Sequence, residues 1–265
     1  MLPKKPITFW FACVSLAIAV NAGAQPPTKT LTVSGAGSLI RAAKSFSQAF
    51  EKMHPGVGIV IEPGRSRTAI RAVRAGKLKI GLLGHALAPA DTRGLHIEAI
   101  EKQAILVVTY PTNPVKSLQL AQIRSIYSGG ITNWHHLGGE NQVIVPFTRR
   151  KSSMIRQIFM STLGNAPSTQ ETAFRIAKDK VLKTIKKIQG SLGYASTSLK
   201  KAREGGIKVL AVNGRAPTRQ NVQQGTYPFS RTLLVITAAR PDTLTSEWIR
   251  GFVKFVRQES SARRP

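Results

Sequence analysis

Across 265 residues, 39 Lys and Arg stand against 12 Asp and Glu, a formal net charge of +27. So few acids leave no plausible catalytic carboxylate pair, and a single cysteine, Cys13, excludes a disulfide framework. A field of this sign attracts polyanions of any kind, but aromatic residues are only 6% and no run interleaves Arg with Phe or Tyr, so no specific nucleic-acid partner is expected.

The chain opens with Lys4 and Lys5, an apolar stretch from Ile7 to Val20, and Ala22-Gly23-Ala24 before Gln25. This is the pattern of a signal peptide, residues 1–24, cut after Ala24, and the mature protein is expected in the periplasm or secreted. The apolar stretch is short for a membrane span. Cys13 leaves with it, and removal of Lys4 and Lys5 gives 27 − 2 = +25.

After Pro26 and Pro27, Leu31-Thr32-Val33 reads as a strand ending in Gly35-Ala36-Gly37-Ser38, followed by a helix with Ala42, Phe46, Ala49 and Phe50 as its buried stripe. Val57 to Ile61 is the next strand, with a helix from about Ser66 to Ala75. Leu78 to Leu83 and Ile105 to Thr109 are further strands. Leu118 to Tyr127 has helical spacing and stops at Ser128-Gly129-Gly130.

Val143-Ile144-Val145 reads as a short buried strand that feeds the segment Arg149 to Phe159. There a helix begins, with Ile155, Ile158, Phe159 and Leu163 on one face and Ser152 or Ser153 placed to cap it. A helix N-terminus offers unpaired N–H donors and partial positive charge, and an arginine beside it adds a planar fork for an oxyanion. Further on, Val181, Leu182, Ile185 and Ile188 mark a Lys-rich helix, Thr232 to Thr237 a strand, and Thr243 to Val256 a final helix.

Alternation of this kind predicts an α/β architecture with mainly parallel sheets, in which loops leaving the strand C-termini gather around a crevice. Three such loops enter helices through hydroxyl residues: Ser38, then Ser66 with Thr68, then Ser152 with Ser153. Repetition of that device points to an anion site.

These pieces in this order resemble the substrate-binding proteins of phosphate ABC transporters, in the type II periplasmic binding protein superfamily. The resemblance is carried by Gly35-Ala36-Gly37-Ser38, Gly76, Ile80-Gly81 and Asn113-Pro114-Val115. It continues in Ser128-Gly129-Gly130-Ile131-Thr132-Asn133-Trp134 with Leu137-Gly138-Gly139, in Arg149 with Ser153, Arg156 and Phe159, and in Gly193-Tyr194 and Tyr227-Pro228. It implies two lobes joined by a hinge, with residues 25–109 plus 231–265 forming lobe 1 and 110–230 forming lobe 2. It also implies an oxyanion held by Ser38, Ser66, Thr68, Arg149 and Ser153, with Gly84, His85 and Arg156 in a supporting ring. Inorganic phosphate or a similar oxyanion is the implied ligand, an ABC transporter permease or a sensor the implied partner, and the protein an implied monomer without enzymatic activity or cofactor.

Departures from the family bear on the ligand. Ser153-Met154-Ile155 lacks a threonine common in relatives, Ser38-Leu39-Ile40 lacks a hydroxyl, and Lys79 stands where an Asp is usual. The loop Leu82-Leu83-Gly84-His85 lacks the Asp or Ser found there in phosphate-binding relatives, where an aspartate accepts a hydrogen bond from protonated phosphate and so rejects sulfate. The expected pocket therefore discriminates poorly between the two anions.

Competing constellations are weaker. His135-His136 are adjacent and have only Glu140 nearby, short of a zinc ligand set, so no metal is expected. Two cationic series, Arg65, Arg67, Arg71, Arg74, Lys77, Lys79 and Lys178, Lys180, Lys183, Lys186, Lys187, carry the alternative function. In that alternative the fold no longer holds a small ligand and serves as a cationic adhesion or scaffold module on an anionic envelope surface.

Overall fold

The computed structural model describes residues 27–164 and 173–262, so the signal-peptide reading at 1–24 lies outside it. The strands are β1 (Lys29–Ala36), β2 (Val57–Gly64), β3 (Ile80–Leu83), β4 (Leu95–Ala104), β5 (Leu106–Thr109), β6 (Ser117–Leu118), β7 (Val145–Thr148), β8 (Phe174–Arg175), β9 (Ser191–Ala195), β10 (Lys208–Val212) and β11 (Ser230–Ala238). The helices are α1 (Gly37–Met53), α2 (Ser66–Arg74), α3 (Leu120–Ser128), α4 (Met154–Thr162), α5 (Val181–Lys187), α6 (Leu199–Glu204), α7 (Arg219–Gln223) and α8 (Thr243–Ala262).

Two sheets form, in the orders β2-β1-β3-β11-β4 and β6-β10-β5-β9-β7-β8. In the first, β1 runs parallel to β2 and β3, with Val33 opposite Ile61 and Ile80. In the second, β7 runs parallel to β9 and β8, and β6 parallel to β10. The antiparallel members are β5 and β11, the strands that follow each crossing between sheets, together with β4, which pairs with β11. The expected two-lobed α/β arrangement is present.

Each sheet is covered on both faces, as a mainly parallel sheet requires. On one face of the first sheet Leu31, Val33, Ile80 and Leu82 pack with Leu39, Ala43, Phe46 and Phe50 of α1 and with Trp248 and Phe252 of α8. On the other, Ala69, Ile70 and Val73 of α2 meet Leu83 and Ile236. The buried stripe of α1 is therefore Leu39, Ala43, Phe46, Ser47 and Phe50, while Ala49, expected inside, is exposed. The four-residue spacings from Leu39 set that face, and small alanines on the neighbouring rows do not override it.

The second sheet buries Val107, Leu192, Tyr194 and Leu210 against Ile123, Tyr127, Phe159 and Trp134. Its opposite face packs Leu106, Val108 and Phe147 on Val181 and Ile185. The strand expected at Val143 to Val145 begins at Val145 and runs to Thr148, and Val143 is 59% exposed. This later start carries the strand directly to Arg149.

The lobes are joined side by side at two crossings. Ile105 N–H donates to the Phe229 carbonyl at 2.8 Å, and the Tyr227 hydroxyl donates to the Ile105 carbonyl at 3.0 Å. Leu106–Thr109, assigned from sequence to the first lobe, hydrogen-bonds within the second sheet as β5, so the crossing lies at Ile105 rather than after Thr109. Apolar alternation marks these residues as a strand but carries no signal of which sheet accepts it.

Candidate functional site

The first wall of the site is built where β1 and β3 end. Gly35 takes a φ of +141°, and a Cβ there would lie 2.0 Å from the Leu82 carbonyl oxygen. Only glycine allows the two backbones to approach this closely, which brings the start of α1 beside the loop after β3. Ala36 is the N-cap of α1 and offers no side-chain cap; α2, whose N-cap is Arg65, is likewise uncapped. The leading N–H groups of both helices thus remain available to an anion.

Ser66 is buried at the first turn of α2, and its hydroxyl oxygen accepts from Gly84 N–H at 3.2 Å. That bond leaves the Ser66 hydrogen free to donate. The space where a Gly84 side chain would start is bounded by Arg231 Nη1 at 3.3 Å, Ala36 Cβ at 3.4 Å and Ser38 Oγ at 3.9 Å. Ser38, Ser66 and Gly84 therefore converge, and they do so around Arg231. Thr68 sits two residues into α2 and is exposed.

The second wall comes from the end of β7. Thr148 Oγ1 and the Tyr194 hydroxyl lie 2.9 Å apart, Arg149 N–H donates to Tyr194 Oη at 3.2 Å, and Arg156 Nε donates to Thr148 Oγ1 at 3.3 Å. Burial pushes the Tyr194 hydroxyl pKa up, against the pull of Thr148, Arg149 and Arg156, so Tyr194 remains a neutral positioning group. Tyr194 is itself stacked on Phe159 of α4 with ring centroids 4.0 Å apart. This packing holds the Arg149 backbone while leaving its side chain for other work.

Arg149 is partly buried and its Nε, itself buried, has no acceptor among the described residues. Burial lowers its pKa, Tyr194 and Asp179 oppose that, and Arg150 adds to it. Ser153 occupies the N-cap of α4, as its position before the helix suggests, but its side chain makes no capping bond. Its hydroxyl and the first N–H groups of α4 are left for an external partner.

A cleft of about 700 Å³ runs between the lobes, lined by His85 and Ala86 of one, Met154, Arg156 and Gln157 of the other, and Ser230, Arg231 and Thr232 at the crossing. Arg149 and the three serines do not line this cavity. Ser38 and Ser66 adjoin it at Gly84 and Arg231, and Arg149 adjoins it through the Thr148–Arg156 contact. The hydrogen-bond geometry defines the candidate site better than the cavity outline does, since it identifies the donors left without partners.

Sequence reasoning passed over Arg231 and Arg41, and read Lys178 only as part of a charged strip. Lys178 has its pKa lowered by partial burial, then by the like charges of Arg231, Arg149 and Arg41, so four cations from both lobes act on one region. Arg231 is 9% exposed, and burial brings its pKa down to about 10 against the opposing pull of Glu101, which leaves it charged near neutrality. A lone charge in the strand β11 was the available signal. Among the described residues no three His, Cys, Asp or Glu side chains gather. The donor set consists of N–H, O–H and cationic groups, which suits an anion.

A family model described as a PBP superfamily domain matches residues 20–259. The phosphate-binding protein PstS of Bacillus subtilis (strain 168) is 25% identical over 211 residues, covering 78% of this chain and 69% of that protein. Among solved structures, an ABC-type phosphate transport receptor from Vibrio cholerae superposes with a TM-score of 0.75 at 24% identity, covering 88% of this chain and 96% of that one. A putative phosphate ABC transporter substrate-binding protein with bound phosphate, from Clostridium perfringens, gives a TM-score of 0.68 at 28% identity, covering 87% and 94%.

Proposed function

The chain belongs to the PBP superfamily, and on that basis we propose that it is an exported solute-binding protein that captures phosphate, or a related tetrahedral oxyanion, between its lobes for an ABC transporter. The observation that carries this reading is Arg149, a partly buried guanidinium with an unsatisfied Nε, set beside the uncapped N-terminus of α4. A buried donor without an acceptor costs free energy in the empty protein, and an oxyanion supplies the missing acceptor. On the other wall the uncapped starts of α1 and α2, with Ser38 and Ser66, provide neutral donors for the remaining oxygens.

In this reading Arg149 and Ser153 hold one side of the anion, and Ser38, Ser66 and Thr68 hold the other after closure. Gly84 and His85 shape the loop behind the first group, and Arg156 steadies Thr148 behind the second. The hinge is the pair of crossings at Ile105 and Phe229, with lobe 2 extending from Leu106 to Pro228. The relatives' names, phosphate-binding protein and phosphate transport receptor, support the choice of ligand and transporter.

Calorimetric titration of the mature protein with inorganic phosphate tests the function. Saturable heat from a single class of sites is expected. A flat titration with phosphate, sulfate and pyrophosphate alike removes the reading and leaves the exposed cationic strip of α2 as the functional surface.

A further inference from the structure

Arg231 belongs neither to the hydrophobic core nor to the donors that the sequence suggests. It lies in β11 just past the second crossing, is 9% exposed and forms part of the cleft wall. Its Nη1 donates to the Gly84 carbonyl at 3.4 Å and its Nη2 to Gln103 Oε1 at 2.9 Å, while Nε has no acceptor among the described residues. The nearest acid acts at one remove: Gln103 Nε2 donates to Glu101 Oε1 at 2.6 Å. The charges of Arg231, Arg149 and Arg41 all bear on Lys178 of the second lobe, that of Asp179 bears on Arg149, and His85 lines the cleft together with Arg231.

Gathered like charges repel one another, and burial raises that cost; a bound anion of matching charge offsets it. The cleft wall includes no Asp or Glu among the described residues, and Gly84 leaves empty the place where a carboxylate would face Ser38 and Arg231. A protonated oxyanion gains little there, because its hydrogen finds no carboxylate acceptor. A doubly charged one meets the Arg231 guanidinium beside Ser38, where no carboxylate stands against it.

Resting on the oxyanion reading above, we propose that Arg231 is a second guanidinium ligand, set beside Ser38 at the Gly84 loop, and that it makes this cleft a receptor for doubly charged tetrahedral oxyanions, sulfate as well as dianionic phosphate. Arg231 is thus a specificity-determining residue that selects by charge. The tether to Gly84 and Gln103 orients its plane, and Nε is the donor left for the ligand.

Titrations with phosphate and with sulfate, each between about pH 6 and about pH 8, test this. Phosphate loses its second proton across this range, so its affinity should rise by about tenfold, while that of sulfate should stay level. An imidazole gains charge in acid and acts in the opposite sense, so the series is repeated in His85→Gln to remove that contribution. At the upper pH the two anions should bind within about tenfold of one another. Arg231→Gln should weaken both by about tenfold or more. Gly84→Asp keeps the guanidinium but sets a carboxylate against it, and should weaken sulfate more than phosphate, which has a hydrogen to donate. Melting curves of all three variants report that they are folded. If phosphate binds but Arg231→Gln leaves its affinity unchanged, or if sulfate binds the wild type about a thousandfold more weakly than phosphate, this inference is overturned while the function stands. If neither anion binds, both are overturned.

Discussion

Arg149 and Arg231 illustrate how two chemically identical side chains differ in what precedes and surrounds them. Arg149 follows a strand and precedes a helix, a local arrangement that can be read from consecutive residues. Its Nε is buried and without an acceptor among the described residues, so on the proposed reading truncation removes a charged hydrogen bond to the ligand without breaking one inside the protein. Arg149→Ala should therefore lower phosphate affinity by about 2–5 kcal/mol, about 30-fold or more in Kd, with little change in melting temperature. Titration alongside a melting curve checks it; wild-type-like affinity would remove Arg149 from the site. Arg231 has no such local signature. It donates to a carbonyl 147 residues away in sequence, and only the pairing of β11 with β3 brings the two together.

Among the elements, the helix starts differ in their caps. The three that open onto the candidate site, α1, α2 and α4, lack side-chain caps, as does α5, whereas α6 is capped by Ser198 and α7 by Thr218. Free N–H groups are costly in a helix with no ligand and useful in one that has one. The start of α8 is capped in the same way as α6 and α7, with a charge added: Asp242 accepts from Thr245 N–H at 2.7 Å and lies 3.5 Å from Lys79 Nζ. These contacts, the Thr245 N–H first, hold the Asp242 pKa below the ordinary carboxylate value. A depressed folded pKa means that the contribution is present above the unfolded value of about 4 and is lost as pH falls through the folded one. Asp242→Ala should cost about 1 kcal/mol at neutral pH, and the gap between variant and wild type should close in acid. Urea unfolding at neutral pH and at about pH 3 measures both. A gap that persists unchanged in acid would show that ionised Asp242 is not its source. The longest element that sequence reading omitted is β4, whose run Leu95–Ala104 carries His96, Glu98, Glu101 and Lys102; β10, α6 and α7 were passed over as well. It is an edge strand, paired with β11 alone, and polar residues on its open side blur the alternation that marks a strand.

The whole molecule is organised around two crossings that hydrogen-bond to each other, with the candidate donors on either side of the cleft. On the proposed reading these two adjacent strands act as a hinge, and an anion held from both sides should draw the lobes together. Small-angle scattering with and without saturating phosphate should show a smaller radius of gyration in the bound state; an unchanged profile despite confirmed binding would mean a preformed site. Much of this architecture was legible in the chain itself. Strand and helix order, the hydroxyl residues at three helix starts, the Arg149 fork and the resemblance to phosphate-binding proteins all rest on periodicity and short spacings, which are local properties of neighbouring residues. The tertiary structure decided the rest: that β5 joins the second sheet, that the face of α1 turns on Leu39, and that Arg231 meets Gly84 beside Ser38. Those outcomes depend on which distant strands pair and which faces bury. Long-range packing settles them, and no local pattern of residues encodes it.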